Sequence, residues 1–209
     1  MADLRIEEYN VGEIGTNCYF IVNADTDEML VIDPGGSGKE LISRINQRNL
    51  KPVAVLLTHG HYDHASDAQT LADEYKIPVY AHEAERETLE DPALNLSPMF
   101  GHREVYHADK YVKDGDILNL AGFEIRVIHT PGHTVGGCCY EFVGNKVLAS
   151  GDTLFCGSVG RTDFPKGSMS DLIRSIKDKL LDLPGDTTVL PGHEARTTMG
   201  YEKQYNMFL

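Results

Sequence analysis

The sequence predicts an α/β fold, on three observations. Short apolar runs alternate along the chain with segments whose apolar residues recur at helical spacing. Four of the apolar runs stop at or just before a histidine or aspartate, the pattern of strands delivering side chains at their carboxyl ends. The 209 residues, 41% of them hydrophobic, are enough for one sizeable core and short for two, so one domain over residues 1–209 is expected.

Taken in order, Leu4 to Asp33 reads as strands and turns. Cys18 to Val22 and Met29 to Ile32 are β-rich runs around the polar turn Asn23 to Asp27. Asp33-Pro34-Gly35-Gly36 stops the second run. It lacks the Gly-Lys-Ser/Thr ending of a phosphate loop and reads as a plain turn. Ser37 and Glu40 form a capping-box pair for a helix over Ser37 to Arg48, with Leu41, Ile42 and Ile45 on its apolar face.

Val53 to Leu57 is wholly apolar, as a strand buried on both faces should be. It feeds directly into Thr58-His59-Gly60-His61-Tyr62-Asp63-His64. Imidazoles and a carboxylate in one short loop make a donor set suited to zinc or iron. Ala68, Leu71, Ala72 and Tyr75 then recur at i, i+3, i+4, i+7, which predicts a helix from about His64 to Lys76. Val79-Tyr80 reads as a short strand, Ala81 to Glu90 as a polar helix, and Asp91 to Gly101 as a loop.

Asp116 to Thr130 predicts a strand pair about Ala121-Gly122, ending before Pro131-Gly132-His133. Cys138 to Val143 and Val147 to Ala149 form another pair, ending before Ser150-Gly151-Asp152. Ser168 and Asp171 cap a helix whose inner face is Leu172, Ile173, Ile176 and Leu180. Thr187 to Leu190 is the last expected strand, ending before Pro191-Gly192-His193, with a docked polar tail after it.

The formal net charge of −13 argues against nucleic acid and anionic lipid surfaces as partners. No run is long enough to span a membrane, and Met1 to Asn10 lacks the pattern of a signal peptide. The four cysteines, with Cys138 and Cys139 adjacent, have no zinc-type CxxC spacing and suit reduced thiols in a cytoplasmic protein. Cys156 is expected to be a buried thiol. His82, His102, His107 and His129 lack the strand-end context and read as surface or structural residues.

Seven side chains would therefore converge: His59, His61, Asp63, His64, His133, Asp152 and His193. That is too many for one four-coordinate ion and suits two ions sharing a carboxylate. Gly132, Gly151 and Gly192 precede three of them, where tight turns and close backbone approach are needed.

His59-x-His61-x-Asp63-His64, with Asp33 upstream and His133, Asp152 and His193 downstream, resembles the metallo-β-lactamase superfamily. The resemblance implies an αββα sandwich of two mixed sheets flanked by helices. It implies that His59, His61 and His133 hold a first divalent ion, that Asp63, His64 and His193 hold a second, and that Asp152 bridges them. Zinc is the first choice, with iron or a zinc–iron pair as the other. Asp33 matches a carboxylate that orients the metal loop. Gly157 to Phe164 and Thr198 to Glu202 resemble the short bacterial glyoxalase II-like thioesterases, although only a short tail follows His193, where full-length glyoxalase II carries a glutathione-gripping domain.

The activity this implies is hydrolysis of a small anionic thioester, with Asp63 orienting the attacking water or accepting its proton. Arg161 is the candidate anchor for a substrate carboxylate, and Lys166 a weaker one. Asp163 is an equally good partner for Arg161. Two other readings remain open: a mononuclear-iron persulfide dioxygenase using His59, His133 and Asp152, and a non-catalytic metal-holding module.

Overall fold

The computed structural model describes residues 2–209. One six-stranded sheet has the order β1 (Leu4–Val11), β2 (Thr16–Asn23), β3 (Glu28–Ile32), β4 (Lys51–Leu56), β5 (Val79–His82) and β6 (Lys110–Val112). The other six-stranded sheet is built from β7 (Ile117–Leu120), β8 (Phe123–His129), β9 (Cys138–Phe142), β10 (Val147–Gly151), β13 (Thr188–Pro191) and β14 (Thr197–Thr198), in the order β14-β13-β10-β9-β8-β7. A small ribbon, β11 (Leu154–Phe155) with β12 (Ser158–Val159), leaves the end of β10. The helices are α1 (Gly38–Gln47), α2 (Tyr62–Ala65), α3 (Ala68–Tyr75), α4 (Arg86–Glu90), α5 (Pro92–Asn95), α6 (Met169–Lys179) and α7 (Met199–Tyr205).

The period-2 alternation of the strands sorts their side chains into layers. Tyr19 and Ile21 of β2 meet Ile125, Val127 and Tyr140 of the second sheet in a central core. Cys18, Phe20 and Val22 point the other way, onto Leu41 and Ile45 of α1 and Leu71 of α3. On the far side, Cys139, Leu148 and Val189 pack against Leu172 and Ile176 of α6. The result is the expected αββα sandwich, with both sheets mixed.

Topology brings the four ligand-bearing strand ends together. β8 and β10 both run antiparallel to β9, and β13 runs parallel to β10, so all three finish at the same end of their sheet. β4 delivers the His59 loop from the facing sheet. Cys138 N–H donates to Thr58 O at 2.9 Å, which joins the two sheets beside that loop.

Several local expectations differ from the structure. Ser37 takes a left-handed conformation (φ 59°) and makes no side-chain cap. Instead Asp67 Oδ2 accepts the Gly38 N–H at 2.8 Å, so the cap of α1 comes from a residue remote in sequence. The same Asp67 interrupts the helix expected over His64 to Lys76, which is two helices, α2 and α3. Its own N–H is drawn to Pro34 O at 2.9 Å. Ala81 and His82 extend β5 rather than opening a helix. Glu83–Glu85 is a 3₁₀ turn before α4. The expected loop Asp91 to Gly101 holds α5 and a second 3₁₀ turn, Ser97–Phe100. β14 follows the strand expected to be last. Cys156 is half-buried rather than buried, and all four cysteines are free thiols.

Candidate metal centre

The seven candidate donors meet at the carboxyl ends of β4, β8, β10 and β13. His61 Nδ1 lies 3.1 Å from His59 Nε2 and 2.9 Å from His133 Nε2. His64 Nε2 lies 3.3 Å from Asp63 Oδ2, and His193 Nε2 lies 3.2 Å from the same oxygen. Asp152 stands between the two groups. Its Oδ1 is 3.4 Å from His64 Nε2, and its Oδ2 is 3.5 Å from His133 Nε2 and 3.7 Å from His193 Nε2. Donors on one tetrahedral ion, each about 2.0–2.1 Å from it, sit roughly 3.3 Å from each other, close to these separations.

The tautomers are set from outside the site, which is how imidazole ligands are oriented. His133 Nδ1 donates to Arg161 O at 2.7 Å, and His64 Nδ1 donates to Asp33 Oδ2 at 3.0 Å. His59 Nδ1 donates to Thr58 Oγ1 at 3.2 Å. In each case Nε2 is left facing the centre. Asp33, 1% exposed, also accepts Thr58 N–H at 2.8 Å and Thr58 Oγ1–H at 2.6 Å. It therefore holds the metal loop at Thr58 and at His64 together.

Charge balance asks for cations. Burial, with His64 and the other imidazoles beside it, holds His59 well below its usual pKa. Burial and His133 lower His61 to about 3. Burial also lowers His133. These rings are neutral donors at pH 7. Burial opposes charge on His64, but Asp63, Asp152 and Asp33 outweigh it and raise its pKa well above the usual value. Burial likewise works against the two site carboxylates, yet His64 holds Asp63 well down and Asp152 at about 2. Among the described residues no Lys or Arg pairs with Asp33, Asp63 or Asp152. His64 Nε2 and Asp152 Oδ1 are buried, face each other and have no hydrogen-bond partner. Buried polar atoms are rarely left so. A divalent cation between them fits the donor set, its spacing and its charge.

Backbone approach is as close as the side chains. A Cβ on Gly192 would lie 2.2 Å from Asp152 Oδ1 and 2.6 Å from His64 Cε1. On Gly35 it would lie 1.3 Å from Asp63 O, so the Asp33-Pro34-Gly35-Gly36 turn packs against the metal loop.

Three supports were not legible from sequence patterns. Glu85, fully buried, accepts Gly60 N–H at 2.9 Å through Oε1. Through Oε2 it accepts Gly136 N–H at 2.7 Å and Thr134 Oγ1–H at 3.0 Å. It clamps the loop of His59 and His61 to the loop of His133. Thr16 Oγ1 donates to Asp63 Oδ2 at 2.8 Å. Asn17 Nδ2 donates to Pro191 O and Glu194 O, at 3.1 and 2.8 Å, and fixes the His193 loop.

A cleft of about 460 Å³ opens on the donors. Arg161 lines it, but its guanidinium makes a two-point pair with Asp163, at 2.7 and 2.6 Å, and stacks over Phe164. Lys166 is outside the lining and pairs with Glu87 at 2.6 Å. His82 and His129 stack on each other with ring centroids 4.0 Å apart, away from the donors. His102 stacks on Tyr62, and His107 is exposed.

The sequence matches the Metallo-beta-lactamase superfamily over residues 11–193. The chain belongs to that superfamily. A relative in Haemophilus influenzae, named hydroxyacylglutathione hydrolase GloC, is 36% identical over 99% of this chain and 98% of its own. The crystal structure of BLEG-1, a B3 metallo-beta-lactamase, is 40% identical and superposes with a TM-score of 0.93, over 98% of this chain and 99% of that one. TTHA1623, solved in a di-iron-bound form, is 32% identical with a TM-score of 0.86, over 97% of this chain and all of that one. The site is that of a metal-dependent superfamily hydrolase, and its His/Asp cluster is suited to divalent metal ions. No helix among the described residues is long and apolar enough to cross a membrane.

Proposed function

We propose that this protein is a dinuclear metal-dependent hydrolase of thioesters. The observation that carries the two-ion reading is the position of Asp152, which reaches both donor groups: its Oδ2 lies 3.5 Å from His133 Nε2 of one, and its Oδ1 and Oδ2 lie 3.4 and 3.7 Å from His64 Nε2 and His193 Nε2 of the other. His59, His61 and His133 would hold one ion, Asp63, His64 and His193 the other, with Asp152 shared. The di-iron form of TTHA1623 supports two ions on such a frame. The name of the Haemophilus relative supports acyl transfer from sulfur to water.

Bound there, divalent ions supply Lewis acidity, lowering the pKa of water toward neutrality and polarising a thioester carbonyl. The chain's own residues do the positioning. Asp63, whose Oδ2 is fixed by the Thr16 hydroxyl at 2.8 Å, would orient the attacking water or accept its proton. Phe155 lies edge-on to His193, and Phe164 edge-on to His61, with ring centroids 6.1 and 5.6 Å apart. Both narrow the access of bulk water.

The test is His193→Ala, assayed on S-lactoylglutathione with elemental analysis of the same sample. Loss of one donor from the Asp63–His64 side should drop the metal count from about two to about one. Thioester cleavage should fall by orders of magnitude, each ~1.4 kcal/mol of transition-state stabilisation being tenfold. Unchanged metal content, with oxygen uptake on a persulfide substrate, favours the mononuclear dioxygenase instead.

A further inference from the structure

The cleft walls carry more information than the donors. Leu96, Met99 and Phe100 come from the turn after α5. Phe155 and Val159 come from the β11–β12 ribbon, with Phe164 after it, and Ile14 also lines the cleft. Met99 is 66% exposed and Ile14 48%. Contiguous exposed apolar surface beside a polar centre marks a binding site.

The charges are few. Apart from the metal donors, the lining holds Arg161 and Glu194, one of each sign. The Arg161 fork already serves Asp163, and Phe164 covers its face. Glutathione carries two carboxylates and an ammonium, and each would need a partner when drawn into the cleft. An acyl chain needs only apolar wall, which Leu96, Met99, Phe100, Phe155, Val159 and Phe164 supply.

Resting on the thioesterase reading, we propose that the cleft selects thioesters by their acyl portion, taking an unbranched apolar chain in preference to a short polar group such as lactoyl, while a charged thiol such as glutathione stays outside. Leu96, Met99 and Phe100 determine that specificity, together with Phe155 and Phe164. The metal centre takes the carbonyl, the apolar walls take the chain, and the thiol portion faces the open mouth.

The experiment uses the metal-replete protein and a series of S-acyl-N-acetylcysteamines, acetyl to octanoyl, beside S-lactoylglutathione. At the usual value for burying a methylene, kcat/KM rises about fourfold per CH₂ until the cleft is filled, roughly fifteenfold from butanoyl to hexanoyl. Hexanoyl thioester outperforms S-lactoylglutathione. Met99→Asp, at an exposed position that tolerates a charge, lowers the hexanoyl rate more than the acetyl rate, and Met99→Leu restores the slope. Ketone analogues, with CH₂ in place of the thioester sulfur, bind in the same order of chain length by calorimetry. A flat series, or a preference for S-lactoylglutathione, overturns the inference and leaves the thioesterase reading standing. Full metal content with no thioester cleaved overturns both.

Discussion

Glu85→Ala makes a signed and uncommon prediction. The Glu85 carboxylate receives the Gly60 and Gly136 amides and the Thr134 hydroxyl, at 2.9, 2.7 and 3.0 Å, with no cation among its partners. Truncation strands two buried amides at about 1–3 kcal/mol each, so about 2–6 kcal/mol in all; the hydroxyl can turn. Against this stands the cost of burying the charge. Burial raises the Glu85 pKa from 4.5 to about 7, partly offset by its hydrogen bonds. Between those values the folded protein keeps a proton that the unfolded chain releases. The stabilising contribution is thus fully present below the unfolded value and is lost as pH rises through the folded one. At ~1.4 kcal/mol per pKa unit the loss is roughly 3 kcal/mol by pH 8 but only about 1 by pH 5. The variant escapes that loss. Glu85→Ala should therefore destabilise by about 2 kcal/mol more at pH 5 than at pH 8. Urea denaturation of both proteins, with chelator present so that the donor histidines contribute alike, measures the difference. An equal effect at the two pH values, or a larger one at pH 8, refutes the buried-clamp argument.

Two further outcomes follow from residues that hold the site and its frame. Asp33→Ala removes the acceptor shared by Thr58 and His64 and should weaken metal binding by about 10–100-fold, measured by chelator competition; unchanged affinity would show that the loop is held without it. Asp67→Ala should cost about 1 kcal/mol in urea unfolding, since Asp67 caps α1, while Ser37→Ala stays within about 0.5 kcal/mol; the reverse ranking would restore the capping box.

The donors were legible because each follows an apolar strand directly, so one rule about strand ends placed His59, His133, Asp152 and His193 together before any coordinates. The alternation of strands and helices pointed only to an α/β fold; the sandwich was what the resemblance carried by those same residues implied. What sequence could not deliver was long-range. Asp67 caps a helix 29 positions upstream, and no local pattern announces that. Glu85 sits in Glu83-Ala84-Glu85-Arg86-Glu87, which reads as a solvated face, yet its burial is complete. Leu96, Met99 and Phe100 fall in a stretch with no period, so a cleft wall looked like a loop. Arg161 was legible as a cation near the site, but whether it faced a substrate or Asp163 depended on two residues of local geometry.

The most direct test of the dinuclear account is a titration of metal-stripped protein with zinc, and separately with ferrous iron. Thioester cleavage and oxygen uptake are followed at each addition. Thioester cleavage should keep rising until about two equivalents per chain are bound, with no oxygen consumed. Saturation at one equivalent, with oxygen uptake on a persulfide and no thioester cleaved, would contradict it.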